Sequence, residues 1–316
     1  MAFYVAPISN GLGDLFVSLP AIQALIRTGV ATYLVMRSPM QEGLCKRIDG
    51  LAGSIREDQF DARKLKEGDK YFNLRDHRLQ SDYIWGSKEF EAKFPGFKID
   101  DVVKGICRDF NISLDLDILK PLPFKPVPDV TGKILFLAGS TGVVKCWPLG
   151  HWLELASMLK DKGHEVVVVG EPERSKEVAE LIKSGVSHVE TPRLTDAVDV
   201  ISSAGCSVGV DTGLMHASVQ QLTPTVSLFR NNAMFLRTFD HVRSLIAPPC
   251  LAECIEKEFA SVPNRRLNFD IWNLEDAYMY WKTWSCQAES DEERCMAAIS
   301  PSGVYEAVIE LIYSRE

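Results

Sequence analysis

No apolar run in this 316-residue chain reaches the ~18 residues that a membrane-spanning helix needs. The opening residues Met1-Ala2-Phe3-Tyr4-Val5 offer neither a basic leader nor a cleavable apolar stretch. A cytoplasmic location with mostly reduced thiols is therefore expected. Positive charge is in deficit: 35 Lys and Arg stand against 43 Asp and Glu, a net charge of −8. That balance argues against non-specific nucleic-acid binding. Neither half of the chain carries a G-x-G-x-x-G turn after a strand with a matching acid further on. A dinucleotide-dependent dehydrogenase is thus poorly supported.

The composition is otherwise that of an ordinary folded protein, with 46% apolar and 25% charged residues. The length is comfortable for two domains, and a core of this size needs no disulfides. Charge is uneven. Residues 1–127 carry a net +1 and residues 128–316 a net −9. The near-neutral first half is the better placed to meet an anionic partner.

The chain alternates strands and helices. Phe3 to Pro7 reads as a first strand, Ser9 to Asp14 as a Gly-containing turn, and Leu15 to Ile26 as a helix. Pro20 inside that helix predicts a kink or a late start. Ala31–Met36 reads as the next strand, residues 51–70 as charged and irregular, Tyr71–Leu74 as a strand, and Ile99–Phe110 as a helix. Lys120 to Pro128 holds four prolines and reads as a linker, which predicts domains at 1–127 and 128–316. The rhythm then restarts. Strands are expected at 133–138, 165–169, 206–210 and 225–229. Helices are expected at 149–160, 175–183 and 195–204. Past Pro249 the pattern weakens, and a last helix is expected over Val304–Tyr313. Such alternation predicts two α/β domains with parallel sheets and a cleft between them. Ligands of these sheets sit beyond the strand C-termini, where Asp14, Thr141 and Asp211 fall.

The central stretch is Ser207-Val208-Gly209-Val210-Asp211-Thr212-Gly213-Leu214-Met215-His216. A buried strand breaks at Asp211-Thr212-Gly213 and a helix follows. Asp211 or Thr212 is a natural N-cap, and Gly213 admits close approach to the first free N–H groups. A helix N-terminus of this kind is an anion site. It is equally an ordinary well-capped crossover.

Three segments together resemble glycosyltransferase family 9, the lipopolysaccharide heptosyltransferases. They are Gly13-Asp14 with Leu19-Pro20-Ala21, Lys145-Cys146-Trp147-Pro148 with Trp152, and Asp211-Thr212-Gly213-x-x-His216 followed by Pro224-Thr225-Val226. The resemblance runs over residues 1–230 and more loosely through Cys295 to the last helix. It implies a GT-B architecture of two Rossmann-like domains, acceptor side first and nucleotide-sugar side second. It also implies inverting transfer of a sugar, heptose first, from an ADP-sugar without a metal or other cofactor. The acceptor would be a saccharide, a lipid-linked saccharide or a small molecule, with peripheral membrane contact possible. A nucleotide-sugar epimerase and a non-catalytic nucleotide-sugar-binding subunit are the alternatives. One departure stands out: Leu228-Phe229 continues as Arg230-Asn231-Asn232, where the family has Gly-Pro-Thr, so the donor's sugar or base can differ.

The resemblance assigns the general base to Asp14, which could equally cap the Leu15 helix. Lys145 would hold the leaving diphosphate, or be a solvated lysine. Gly13, Ser140, Thr141, Thr212 and Gly213 would line the donor. Asp211 more plausibly holds the turn. His216 is either a core histidine or a donor ligand, and Glu173 is placed to grip a ribose. Arg75, His77 and Arg78 could bind an anionic acceptor or form a solvated loop. Trp147 and Trp152 read as core. Cys250, Cys254, Cys286 and Cys295 could bind zinc or iron, or stand as buried thiols or a latent disulfide. Their intervals do not match a zinc ribbon, and no metal is expected.

Overall fold

The structure is a computed structural model that describes residues 1–83, 88–115, 119–140, 142–230, 233–248, 290 and 293–314. Its described strands form two all-parallel sheets. The first contains β1 (Ala2–Ala6), β2 (Ala31–Met36), β3 (Leu51–Arg56) and β4 (Lys70–Asn73), in the order β3-β2-β1-β4. The second contains β5 (Ile134–Leu137), β6 (Val166–Val169), β7 (Ser187–Val189), β8 (Cys206–Val210), β9 (Thr225–Phe229) and β10 (Val242–Ile246). Its order is β10-β9-β8-β5-β6-β7. The helices in chain order are α1 (Leu12–Arg27), α2 (Pro39–Glu42), α3 (Arg78–Ser81), α4 (Lys88–Lys93), α5 (Ile99–Asp109), α6 (Leu149–Asp161), α7 (Lys176–Lys183), α8 (Leu194–Ser203), α9 (Gly213–Gln220) and α10 (Pro301–Tyr313). No helix among the described residues is long and apolar enough to cross a membrane.

The central strands read as they pack. β8 and β9 are buried at every position, as are the four residues of β5. A strand covered on both faces needs such an unbroken apolar or small-residue run. Trp147 and Trp152 are buried core residues, and the Trp147 indole N–H donates to the Ile299 carbonyl at 2.9 Å. Lys120–Val127 forms no helix or strand, yet it is not loose. Leu122 is buried and exchanges backbone hydrogen bonds with the Gln221 amide at 2.7 and 2.9 Å.

Two expectations are corrected. Residues 51–56, read as irregular, form edge strand β3, which is only half-buried. The first helix does not start late because of Pro20. It begins at Leu12 and runs without interruption through Pro20 to Arg27. The early start has a local cause: the Asp14 carboxylate accepts from the Gly11 N–H at 2.8 Å. That bond caps a turn whose N-cap residue has no side chain of its own.

In each sheet the strand order reverses once, between β1 and β4 and between β5 and β8. Ligand crevices in parallel sheets open at such reversals, beyond the strand C-termini. The loop 7–11 follows β1, Ser140 and Lys145 follow β5, and Asp211-Thr212-Gly213 follows β8. The two halves meet through α1, which packs on both α5 and α9.

Candidate active site

The site is built where the N-termini of α1 and α9 face each other. The helices could not approach so closely with a side chain at Gly13 or Gly213. A Cβ on Gly13 would lie 2.7 Å from His216 Cδ2, and one on Gly213 would lie 2.7 Å from Leu12 Cδ2. Gly13 and Gly213 therefore allow the two helix ends, and the unpaired N–H groups they carry, to share one space. Thr212 caps α9, its hydroxyl accepting from the Met215 N–H at 3.3 Å.

Four charged or titratable groups converge there. Lys145 Nζ lies 2.7 Å from Asp211 Oδ2. His216 Nε2 lies 3.2 Å from Asp211 Oδ1, while its buried Nδ1 has no hydrogen-bond partner among the described residues. Burial alone would push the Asp211 carboxyl up. The Lys145 ammonium and the His216 ring outweigh it and hold Asp211 well below the usual carboxylate range. Asp14 behaves oppositely. Burial pushes its carboxyl up, against the Gly11 amide and the His216 and Lys145 charges, and the Asp211 charge adds to the rise. Two carboxylates within one cluster thus have opposite tendencies, which is how a site separates a proton acceptor from a permanent anion.

The remaining expected residues divide. Ser140 sits after β5 with its hydroxyl accepting from the Gly142 N–H at 3.2 Å, beside the Lys145 stem. Glu173 stands exposed in the turn after β6. Arg75 reaches the first loop, donating to Asn10 Oδ1 at 2.7 Å. His77 and Arg78 turn instead to Asp109 at the end of α5, at 3.3 and 3.2 Å. Burial holds the His77 ring below its ordinary value. Thr141, Asn231, Asn232, Cys250, Cys254 and Cys286 lie outside the described residues. Cys295 opens a short turn before α10, and no cluster of metal-binding type occurs among the described residues.

The sequence reading missed the groups that hold the first loop. Arg37, Ser38 and Gln41 are buried polar side chains at the exit of β2. In sequence they look like ordinary surface residues of a turn.

Residues 117–238 match the family model for glycosyltransferase family 9 (heptosyltransferase). The lipopolysaccharide heptosyltransferase 1 of Pseudomonas aeruginosa is 35% identical over 146 residues, which are 44% of this chain and 41% of that protein. The chain thus aligns with less than half the length of that relative. In fold it is similar to the family 9 glycosyl transferase of Veillonella parvula, with a TM-score of 0.68 at 14% identity, over 99% of this chain and 97% of that one. It is also similar to the Escherichia coli heptosyltransferase WaaC solved with ADP-2-deoxy-2-fluoro heptose. That likeness has a TM-score of 0.55 at 16% identity, over 83% of this chain and 100% of that one. The two-sheet architecture is GT-B.

Proposed function

From a chain that carries a glycosyltransferase family 9 domain in a GT-B frame, we propose an inverting glycosyltransferase that uses an ADP-sugar, with heptose the first candidate. The observation that carries this reading is the convergence of Asp14 from one half with Lys145, Asp211 and His216 from the other, at two facing helix N-termini. The similarity of the fold to a heptosyltransferase solved with an ADP-heptose analogue supports the choice of donor.

The geometry suits a single displacement. An acceptor hydroxyl attacks the anomeric carbon of the donor. The bond from that carbon to the diphosphate breaks, and the hydroxyl proton passes to the Asp14 carboxylate. A raised carboxyl pKa makes Asp14 a better proton acceptor than a free aspartate. The departing diphosphate gains negative charge. Lys145 and the N–H groups of Thr212 and Gly213 would meet it. Asp211 would repel a diphosphate by itself, but its charge is already matched by Lys145 and His216. Its role is to hold that ammonium at the mouth of α9. Ser140 and Thr141 would add hydroxyl contacts to the phosphates, and Glu173 contacts to the ribose. With a lysine and a helix end to take the leaving charge, no metal is required.

Arg75, tied to the Asp14 loop through Asn10, is the best placed of Arg75, His77 and Arg78 to meet an anionic acceptor. A lipid-linked saccharide would bring the enzyme to the cytoplasmic membrane surface as a peripheral protein. The test is release of ADP from ADP-heptose with a lipid-linked core saccharide as acceptor. Turnover should depend on acceptor, and should fall at least about 100-fold in Asp14→Asn, the order reached by general-base catalysis. Turnover without acceptor, or an undiminished Asp14→Asn, overturns the reading.

A further inference from the structure

The loop that presents Asp14 is held by its carbonyls. Five residues, Pro7 to Gly11, connect β1 to α1, and every one of their carbonyl oxygens accepts from a side chain elsewhere in the first half. Arg37 Nε donates to the Pro7 carbonyl at 3.0 Å. Gln80 Nε2 donates to that of Ile8 and Ser38 Oγ to that of Asn10. Gln41 Nε2 donates to Ser9 at 2.9 Å and to Gly11 at 3.3 Å, so a single amide nitrogen spans the loop. The Gln41 oxygen is used as well, accepting from the Arg37 backbone N–H at 2.8 Å. On the amide side of the loop, the Ile8 N–H donates to Ser18 Oγ at 3.1 Å and the Gly11 N–H to Asp14.

Satisfaction of buried carbonyls alone does not account for this. Ser9, Asn10 and Gly11 are only half-buried, and water could serve their oxygens. Instead, Gln41 is fully buried and Arg37 is 2% exposed, with the Arg37 guanidinium further fixed by Glu57 and Asn73. Covering such groups is costly unless every bond is made. What side-chain donors supply and water does not is direction. Side chains of the β2–α2 turn, α2 and α3 fix all five oxygens in place. This inference rests on the reading of Asp14 as the base.

We propose that Gln41, backed by Arg37, Ser38 and Gln80, is a positioning residue that fixes the loop 7–11 and through it the Asp14 carboxylate. The geometry that says so is one buried amide spanning the Ser9 and Gly11 carbonyls, three residues before Asp14. Around Asp14 the charged and titratable groups are His216 on α9, Lys145 after β5 and Asp211 after β8, with the Gly11 N–H in its own loop. His216, Lys145 and Asp211 belong to other elements and are untouched by a change at Gln41. Loosening the loop alters how well Asp14 is covered and how well the Gly11 N–H holds it.

The test uses the full chain labelled with carbon-13 at the aspartate carboxyls, with Asp14 assigned by its loss in Asp14→Asn. In the wild type the Asp14 signal should titrate above the ordinary aspartate value. In Gln41→Leu that titration should shift, as water reaches the carboxylate and the Gly11 N–H bond loosens. Release of ADP from ADP-heptose should fall about 100-fold, the cost of a misplaced catalytic group. Thermal stabilisation by ADP, which reports on the other half, should be unchanged. A folded Gln41→Leu whose Asp14 titrates as in the wild type overturns the proposal. Should Gln41→Leu fail to fold, Ser38→Ala removes one bond of the clamp and decides by the same shift. Undiminished turnover in Asp14→Asn would sink the glycosyltransferase reading while leaving the titration result for Gln41 standing.

Discussion

Gly13→Ala probes the contact between the two helix ends. The new Cβ would sit 2.7 Å from His216 Cδ2 and 3.5 Å from its Cγ and Nε2. Carbon atoms rest at roughly 3.5–4.0 Å, so the ring or the helix must yield by about 1 Å. His216 is not free to swing, because its ring is buried and its Nε2 is bound to Asp211. Overpacking at such a site costs about 1–3 kcal/mol. Alanine in place of a helical glycine returns roughly 0.5–1 kcal/mol, and less in a first turn. The net effect is destabilisation, and it should depend on the imidazole. Urea unfolding of the wild type, Gly13→Ala, His216→Ala and the double variant gives the coupling directly. The double variant should be more stable than the sum of the singles allows, by about 1 kcal/mol or more. Additivity within about 0.3 kcal/mol would refute the direct contact on which this arrangement depends.

The two carboxylates of the cluster should affect stability in opposite directions. Asp14 has a raised carboxyl pKa, so its ionised form costs stability once the pH passes the ordinary aspartate value. Asp14→Asn keeps an oxygen for the Gly11 N–H and should therefore raise Tm at pH 7, with the gain vanishing at pH 3. Asp211 is held low, and the stability it contributes is present above the ordinary value and lost as pH falls through its own. Asp211→Asn should lower Tm at pH 7, and that deficit should shrink in acid. Equal signs in the two melts would contradict the assignment. Across the contact between the halves, Arg47 binds Asp199 through two nitrogens at 2.9 and 2.8 Å, and Asp199 also accepts from the Lys125 N–H at 2.7 Å. Asp199→Ala should cost about 1–3 kcal/mol in urea unfolding, less than the roughly 3–5 kcal/mol of breaking a fully buried pair because Arg47 is partly exposed. An unchanged midpoint would show the pair to be idle. Prolonged dialysis against EDTA should leave ADP release unaltered, and a loss restored by zinc or iron would overturn the metal-free reading.

Much of this fold is readable from the chain, and the exceptions have a common cause. β2, β8 and β9 have the bounds that the apolar runs give them, and β8 and β9, covered on both faces, leave an unbroken signal. The three strands that went unread, β3, β7 and β10, are all sheet edges. Edge strands pair on one side only and tolerate charge and exposure, so their pattern fades into the surrounding loops. A cap at Asp211 or Thr212, with Gly213 beside it, was legible because turn chemistry is local, and the structure gives the cap to Thr212. The loop clamp was not. Arg37, Ser38, Gln41 and Gln80 look like solvated polar residues, and only the folding of β2 and α3 beside the first loop gives them carbonyls to bind. The Arg237–Asp100 pair, 2.7 Å apart and buried, is another such case, its partners lying 137 positions apart in the chain. His77 shows the converse. Beside Arg75 and Arg78 it reads as part of a cationic patch, yet it caps α3 and leans on Asp109.

The central claim is that Lys145 and the α9 N-terminus form a diphosphate site for an adenine nucleotide. Isothermal titration of the wild type and Lys145→Ala with ADP, UDP and GDP tests it most directly. ADP should bind in preference to the other two and should stabilise the protein by ~2.7 kcal/mol at 100 times its Kd. Lys145→Ala should weaken that binding at least about tenfold, the loss of roughly 1.4 kcal/mol expected for one charge-assisted contact. Binding of ADP that is indifferent to Lys145, or a clear preference for UDP or GDP, would contradict the account.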